Sequence, residues 1–244
     1  WAVTPPPLLE MTTYYWRITF WDDDGAQGAV SATQQFATAT LSPIAIYYSV
    51  GTSTADLKSG TPTMTIASGT ATFSAAQPDN IGVGDVITYN TSLKAYICGR
   101  TSDTVYAVQT VTGGTPADVT AATVNSIKRT FNYLNDAALN SDDASHLNTA
   151  DLVANNFQLN WPCYNDGSDT SRVDIEEPWI TGADNYIRVY TPTDTSEVGT
   201  SQRHNGTAGT GYRIAPSTST PGANWSISST GWTCPPKRKV PYWI

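Results

Sequence analysis

Charge is scarce in this chain: of its 244 residues, only 14% are Asp, Glu, Lys or Arg, against about 25% in ordinary soluble domains. Hydrophobic residues make up 39% of the sequence and aromatic residues 11%, a composition too apolar for intrinsic disorder. The 13 basic residues are outnumbered by 21 acidic ones, which gives a formal net charge of −8. Because this excess is negative, it argues against an interface that neutralises phosphates, and we expect no nucleic-acid partner.

The chain also lacks long apolar runs and an initiator methionine. No run approaches the roughly 18 uninterrupted apolar residues of a membrane-spanning helix, so no span is predicted. The sequence opens with Trp1-Ala2-Val3-Thr4, without the basic and apolar regions of a secretion signal. We therefore expect a piece of a longer protein, with any signal outside it.

Cysteine is rare, and Cys98, Cys163 and Cys234 follow no CxxC spacing, which disfavours a zinc site. In a secreted protein we expect a disulfide between Cys98 and Cys163, because both lie in strand-like apolar sequence. Buried free thiols are the equal alternative.

Short runs rich in β-branched and aromatic residues, separated by Gly, Pro, Asn and Asp, dominate the sequence and predict an all-β fold. The clearest runs are 14–20, 64–66, 71–73, 86–89, 95–98, 105–108 and 186–190. One helix is predicted over 124–139, where apolar residues recur at three- and four-residue spacing. A weaker helical turn is predicted over 142–148.

The first forty residues differ from the rest. The run Thr12-Thr13-Tyr14-Tyr15-Trp16-Arg17, the preceding Leu8, the Asp24-Gly25 turn and the closing Phe36-Ala37-Thr38 resemble the last two strands of a fibronectin type III domain. The resemblance implies that the Tyr14 hydroxyl clips the chain at a corner between sheets. Because a lone hairpin is marginal in water, we expect residues 1–40 to lean on the next domain, to pair with another chain or to be poorly ordered.

From Tyr47 onward the sequence resembles the opening of a right-handed parallel β-helix in large secreted proteins of environmental bacteria. The residues that carry the resemblance are 48–52, 80–87, 99–102, 127–129 and 197–204. It implies a β-helix-type domain over 41–215, to which the predicted short helix belongs. Residues 216–244 depart from the resemblance and form a low-complexity tail that fits no coil. The resemblance also implies an extracellular or cell-surface location.

The segment Ile81-Gly82-Val83-Gly84-Asp85-Val86-Ile87 looks like a phosphate-binding glycine loop. A dinucleotide fingerprint needs a third glycine and a following helix, and here a strand follows. We therefore predict a tight turn that places Asp85 at the start of a strand.

Residue types suited to catalysis are few, with two histidines and no recognised hydrolase or metalloprotease motif, and this favours a non-enzymatic role. The β-helix resemblance also implies polysaccharide lyases or glycosidases as an alternative. For such an enzyme the candidate catalytic residues are Arg203, His204, Asp184 and Glu197, which would have to converge in one groove. Arg188 and Arg213 are further candidates for a lyase base.

Aromatic side chains beside Asn and Asp are typical of sugar-binding surfaces. The candidates here are Trp161, Tyr164, Trp179, Tyr186 and Tyr190. Asp166 and Asp169 are weak candidates for a calcium loop, which lacks the final Glu of an EF-hand, and no other cofactor is expected. The sequence thus predicts an extracellular structural or adhesive protein that presents a surface to polysaccharide or to copies of itself, with residues 12–38 as the edge for assembly.

Overall fold

A computed structural model describes residue 9 and residues 12–38, 42–175 and 178–215 of the chain. These residues form thirteen strands and one helix, so the predicted all-β class with one short helix is confirmed. The chain divides into two compact units, Trp1–Ser42 and Pro43–Ile244. The predicted tail over 216–244, with Cys234, lies outside the described residues.

The first unit is an antiparallel hairpin of β1 (Thr13–Trp16) and β2 (Gln34–Ala37). Tyr14 lies opposite Phe36, and the two rings stack with their centroids 5.6 Å apart. The backbone N–H of Leu9 donates to the Tyr14 hydroxyl oxygen at 2.6 Å. The Tyr14 hydroxyl therefore contacts the chain five residues upstream, while the corner between two sheets stays a prediction, because the described part of this unit has one two-stranded sheet.

The second unit opens with β3 (Ile44–Tyr47) and continues into a closed antiparallel barrel. The barrel strands are β4 (Thr63–Ala67), β5 (Thr70–Phe73), β6 (Val86–Tyr89), β7 (Leu93–Arg100), β8 (Val105–Gln109) and β9 (Val119–Lys128). They follow one another around the barrel in the order β4, β5, β8, β7, β6, β9. Alternate side chains point inward, as in β6, where Ile87 and Tyr89 are buried while Val86 and Thr88 are only partly covered. This period of two is the pattern that the sequence carries for these strands.

After the barrel come the helix and the remaining strands. They are α1 (Leu134–Asn140), β10 (Phe157–Pro162), β11 (Ser168–Asp169), β12 (Ile187–Tyr190) and β13 (Arg213–Ile214). β10 lies between β3 and β12 in a parallel sheet, and β11 pairs in parallel with β13. Asn160 of β10 faces Tyr47 on one side and Arg188 on the other. The inner face of the sheet buries Ile46, Leu159 and Trp161 in a second core.

The helix prediction over 124–139 is wrong for 124–133, because residues 124–128 belong to β9 and α1 begins only at Leu134. The register shifts between Thr88 and Tyr89, which face Ser126 and Val124 respectively. This bulge lets Val124 and Ile127 both point into the barrel although they are three residues apart, which imitates helical spacing. The helical turn predicted over 142–148 is a series of turns and bends.

Candidate functional site

A cluster of polar side chains lies on the outer face of the parallel sheet, and we call Arg188, Tyr190 and Glu197 the Arg188–Glu197 cluster. Side chains alternate along β12, so Ile187 packs towards the core while Arg188 and Tyr190 share the opposite face. Glu197 comes from the turn that follows β12, where the N–H groups of Glu197 and Val198 donate to the carbonyl of Asp194 at 2.9 and 3.0 Å.

The three side chains contact one another in sequence, with Tyr190 between Glu197 and Arg188. The Tyr190 hydroxyl donates to Glu197 Oε1 at 2.8 Å, and the Arg188 guanidinium carbon lies 3.8 Å from the centroid of the Tyr190 ring. Burial and the hydrogen bond to Glu197 raise the pKa of Tyr190 above its usual value, so the phenol remains a protonated donor. Burial and the Glu197 charge also raise the pKa of Tyr47.

The turn that carries Glu197 is held against the barrel. The carbonyl oxygen of Glu197 accepts a hydrogen bond from Val83 N–H at 2.9 Å. The carbonyl oxygen of the preceding residue, Ser196, accepts one from Arg100 N–H at 2.6 Å. A Cβ at Gly82 would collide with the Glu197 carbonyl oxygen and lie 2.8 Å from the Tyr164 hydroxyl. The close approach therefore requires glycine at this position.

Beneath this turn lies a buried ionic network centred on Arg129. Nη1 of Arg129 donates to both carboxylate oxygens of Asp85 at 2.8 Å. Nε and Nη2 form a fork with the two oxygens of Asp166 at 2.7 and 3.0 Å. The carbonyl of Asn80 accepts from Nη1 and Nη2 at 3.2 Å. The guanidinium carbon also lies 3.6 Å from the centroid of the Tyr164 ring, so the buried cation has its donors satisfied and its face covered.

The pKa values of Arg129 and Asp85 are both raised, for different reasons. Burial disfavours the charged form of Arg129, but Asp85 and Asp166 outweigh it and raise the Arg129 pKa, which keeps the guanidinium charged. Burial raises the pKa of Asp85, and Arg129 opposes that shift. Asp85 also accepts a hydrogen bond from Gly82 N–H at 3.0 Å, and Gly84 has a φ of +86°. The tight turn predicted to place Asp85 is confirmed.

The candidate catalytic residues occupy different settings. Arg203, His204 and Asp184 are exposed, and Glu197 is partly buried. No hydrogen bond or ion pair between described residues joins any two of these four. Glu197 instead contacts Tyr190, a candidate for sugar binding, and the Tyr190 ring in turn contacts Arg188, a candidate lyase base.

The predicted strip of exposed aromatic residues is not formed. Trp161 and Tyr164 have no exposed surface and Trp179 has 8%. Trp161 and Trp179 belong to the core on the inner side of the sheet, whereas the Tyr164 ring covers the Arg129 guanidinium. Trp161 Nε1 donates to Ser141 Oγ at 3.0 Å, and the Tyr164 hydroxyl donates to the Val83 carbonyl at 2.7 Å. Only Tyr186, at 39% exposure, and the partly covered Tyr190 remain accessible.

The two calcium candidates have protein partners. Asp166 binds Arg129, as described above, and Asp169 accepts from Leu134 N–H at 2.8 Å and from the Tyr212 hydroxyl at 2.6 Å. Within the described part of the chain, no group of three or more His, Cys, Asp or Glu residues could hold a metal ion.

The predicted disulfide is absent, because Cys98 and Cys163 are both free thiols. Cys98 lies in barrel strand β7, and burial raises the pKa of its thiol to about 11. Cys163 lies in the core beyond β10, where its Sγ donates to the Trp161 carbonyl at 3.5 Å.

Among the described residues, no helix is both long enough and apolar enough to cross a membrane.

Comparison with known proteins gives one partial match. A family model described as the Rha78A-like, N-terminal immunoglobulin domain matches residues 1–42. This range coincides with the first compact unit and is compatible with the fibronectin type III resemblance. No curated protein and no solved structure matches the chain.

Proposed function

We propose that the chain is an extracellular structural or adhesive protein that binds anionic polysaccharide through the Arg188–Glu197 cluster. The observation that carries the proposal is that the Arg188 guanidinium is positioned by a ring but has no carboxylate partner among the described residues. It lies on the Tyr190 ring, and it forms none of the ion pairs found among the described residues. An exposed, pre-oriented guanidinium suits bidentate binding of a carboxylate or sulfate group on a sugar.

The scaffold that we propose is the opening of a right-handed parallel β-helix. Three parallel pairings support it, and they occur in the same order along the chain: Asp151 with Ile180, Leu159 with Ile187, and Ser168 with Arg213. A turn of chain that pairs at three successive places with the next turn is the arrangement of stacked coils. Parallel crossover connections within one sheet are right-handed in nearly all proteins, and this supports the handedness.

Such a scaffold would hold the cluster's side chains in place before a ligand binds. Glu197 is fixed through its backbone to Val83, and Tyr190 is fixed through its hydroxyl to Glu197. A ligand would therefore order few additional side chains on binding, which lowers the entropic cost of a weak, repeated contact with a polymer.

The Tyr190–Glu197 hydrogen bond favours a second candidate, a carbohydrate-active enzyme of polysaccharide lyase or glycosidase type. A carboxylate and a phenol beside a guanidinium are groups that could move a proton while the guanidinium neutralises a uronate. The two candidates differ in outcome, because an enzyme shortens the polymer and an adhesive protein only holds it.

The test measures binding of the full chain to an immobilised polyuronate and to a neutral glucan. We compare the wild type with Arg188→Ala and with Arg203→Ala, a matched control that also removes an exposed arginine. We expect Arg188→Ala to weaken binding about tenfold or more, since a charge-assisted hydrogen bond contributes about 1.5–3 kcal/mol, and Arg203→Ala to have little effect.

Equal losses in both variants would indicate non-specific charge attraction, and unchanged binding by Arg188→Ala would contradict the proposal. Shortening of the polymer by the wild type but not by Glu197→Gln would establish the enzyme instead. Light scattering across protein concentration reports whether the chain also binds copies of itself.

A further inference from the structure

The loop after the Arg188–Glu197 cluster contains the sole Asn-Gly dipeptide in the sequence, Asn205-Gly206. Glycine lacks a side chain, so its backbone nitrogen is open to approach by the preceding asparagine. Both residues are exposed, and Gly206 has a φ of +91°.

The groups around this dipeptide are arranged for a reaction between its two residues. The Gly206 N–H donates to Nδ1 of His204 at 2.9 Å. The side-chain oxygen of Asn205 accepts from Thr207 N–H at 3.0 Å and lies 2.8 Å from the Thr210 hydroxyl, whose single proton is shared with the Thr207 carbonyl oxygen at 2.7 Å. A proton acceptor therefore contacts the nitrogen, and two donors contact the oxygen on which negative charge would develop.

The base of the loop is well anchored. The Gln202 side-chain oxygen accepts from Asn165 N–H at 3.1 Å, and Gln202 N–H donates to the Pro192 carbonyl at 3.0 Å. On the far side, a Cβ at Gly211 would lie 2.7 Å from the backbone nitrogen of His204. The loop is therefore bonded to the rest of the chain at Gln202, and Gly211 at its far end packs closely against His204.

We propose that Asn205 is a self-modification site, at which the chain converts its own asparagine into aspartate or isoaspartate. The Gly206 nitrogen attacks Cγ of Asn205 while His204 Nδ1 removes the proton from that nitrogen. Thr207 N–H and the Thr210 hydroxyl stabilise the negative charge on the side-chain oxygen. The tetrahedral intermediate collapses with cleavage of the Cγ–Nδ2 bond, and the leaving nitrogen takes a proton from His204 and departs as ammonia.

The product of that step is a succinimide, and water completes the reaction. Addition of water to one imide carbonyl reopens the ring to aspartate, and addition to the other gives isoaspartate, whose main chain runs through the former side chain. No electrons are transferred, and the only co-reactant is water. The neutral amide becomes a carboxylate, so the formal net charge of −8 becomes more negative by one charge. This inference does not depend on polysaccharide binding, because it concerns a different group of residues.

The test follows the mass of the peptide that contains Asn205 during incubation of the full chain at neutral pH. The chain is produced in a cytoplasm that adds no N-linked glycan, because Asn205-Gly206-Thr207 is also a glycosylation sequon. Fragmentation that distinguishes aspartate from isoaspartate identifies the products. Asn90, which is also exposed but precedes threonine, serves as an internal control and should remain unchanged.

We expect the folded wild type to convert about tenfold faster than the same chain unfolded in urea, since a positioned base and oxyanion donors act only in the folded loop. His204→Ala and Thr210→Val should each slow the folded rate and leave the unfolded rate unchanged, and Thr210→Ser should restore it. Equal rates in the folded and unfolded wild type, or equal folded rates in the variants, would overturn the proposal. Circular dichroism confirms that each variant is folded.

Discussion

Arg129 and Asp85 form an ion pair without exposed side-chain surface, in which one guanidinium nitrogen lies 2.8 Å from both carboxylate oxygens. Arg129 follows barrel strand β9 and Asp85 precedes β6, while the second carboxylate of the network, from Asp166, follows β10. The network therefore joins the barrel to the parallel sheet. It also places two carboxylates where only a cation makes their burial tolerable.

Replacing Arg129 by methionine keeps most of its volume and removes its charge. We expect Arg129→Met to lower the free energy of unfolding by about 3–5 kcal/mol, because the Asp85 and Asp166 carboxylates would be left buried without a cation. The measurement is urea unfolding monitored by tryptophan fluorescence. The control is Arg172→Met, which breaks an ion pair with Asp174 whose arginine side chain is 61% exposed, and a cost of about 0–1 kcal/mol is expected there. Similar losses in the two variants would mean that the buried network adds no more than a surface pair.

At Gly84 the turn before β6 lies directly against the segment that follows β3. A Cβ there would collide with the backbone nitrogen of Ser49 and lie 2.8 Å from the carbonyl carbon of Tyr48, and φ is +86°. We expect Gly84→Ala to cost about 2–4 kcal/mol through backbone strain and overpacking. Gly60→Ala is the matched control, because Gly60 has a φ of +65° and open space around it, so only the strain of about 1–2 kcal/mol remains. A difference between the two variants in thermal unfolding isolates the collision.

The lowered pKa of Asp143 predicts that the stability of the fold depends on pH. Burial raises the Asp143 pKa, but the side chain of His146 at 2.9 Å and the N–H of Ser145 at 2.7 Å together outweigh this and hold the pKa below its usual value. A lowered pKa means that the ionised carboxylate stabilises the fold above the unfolded value of about 3.9, and that this contribution is lost as the pH falls through the folded value.

We therefore expect Asp143→Asn to lower the urea midpoint at neutral pH and to approach the wild type in strongly acidic solution. Asp142→Asn changes the adjacent carboxylate, which makes neither of those two bonds, and should not alter the shape of the pH profile. A constant gap between the wild type and Asp143→Asn at all pH values would contradict the assignment.

The strands were predictable from sequence because each carries its own alternation of buried and exposed residues. Ile87 and Tyr89 of β6 are an example, as both are apolar, alternate with less buried neighbours and point into the barrel. The same local rule failed for Val124 and Ile127, where a bulge in the pairing replaced a spacing of two by a spacing of three. A bulge is a property of two strands together, and one strand's sequence does not reveal it.

The sites were less predictable because they depend on contacts between distant segments. Asp85 and Asp166 both drew attention as acidic residues, but their common partner Arg129 comes from a third segment, and only the folded chain brings the three together. Aromatic residues such as Trp161 were predicted to be exposed for sugar binding but are buried. The sequence does not distinguish the two cases, because aromatic residues on strands fill cores as readily as they form surfaces.

The barrel is inserted into the second unit at a point where the chain leaves and returns side by side. Val50 pairs in parallel with Phe131 and also with Cys163, and Gly51 N–H donates to the Phe131 carbonyl at 3.0 Å. Three of the six barrel pairings join strands that are consecutive in sequence, and the other three stay within the barrel segment, whereas β3 must find β10 across the whole insertion. Closing that long loop is entropically costly until the barrel has condensed and brought its two ends together. Folding of the parallel sheet should therefore wait for the barrel, and a destabilised barrel would slow completion of the sheet without touching a residue in it.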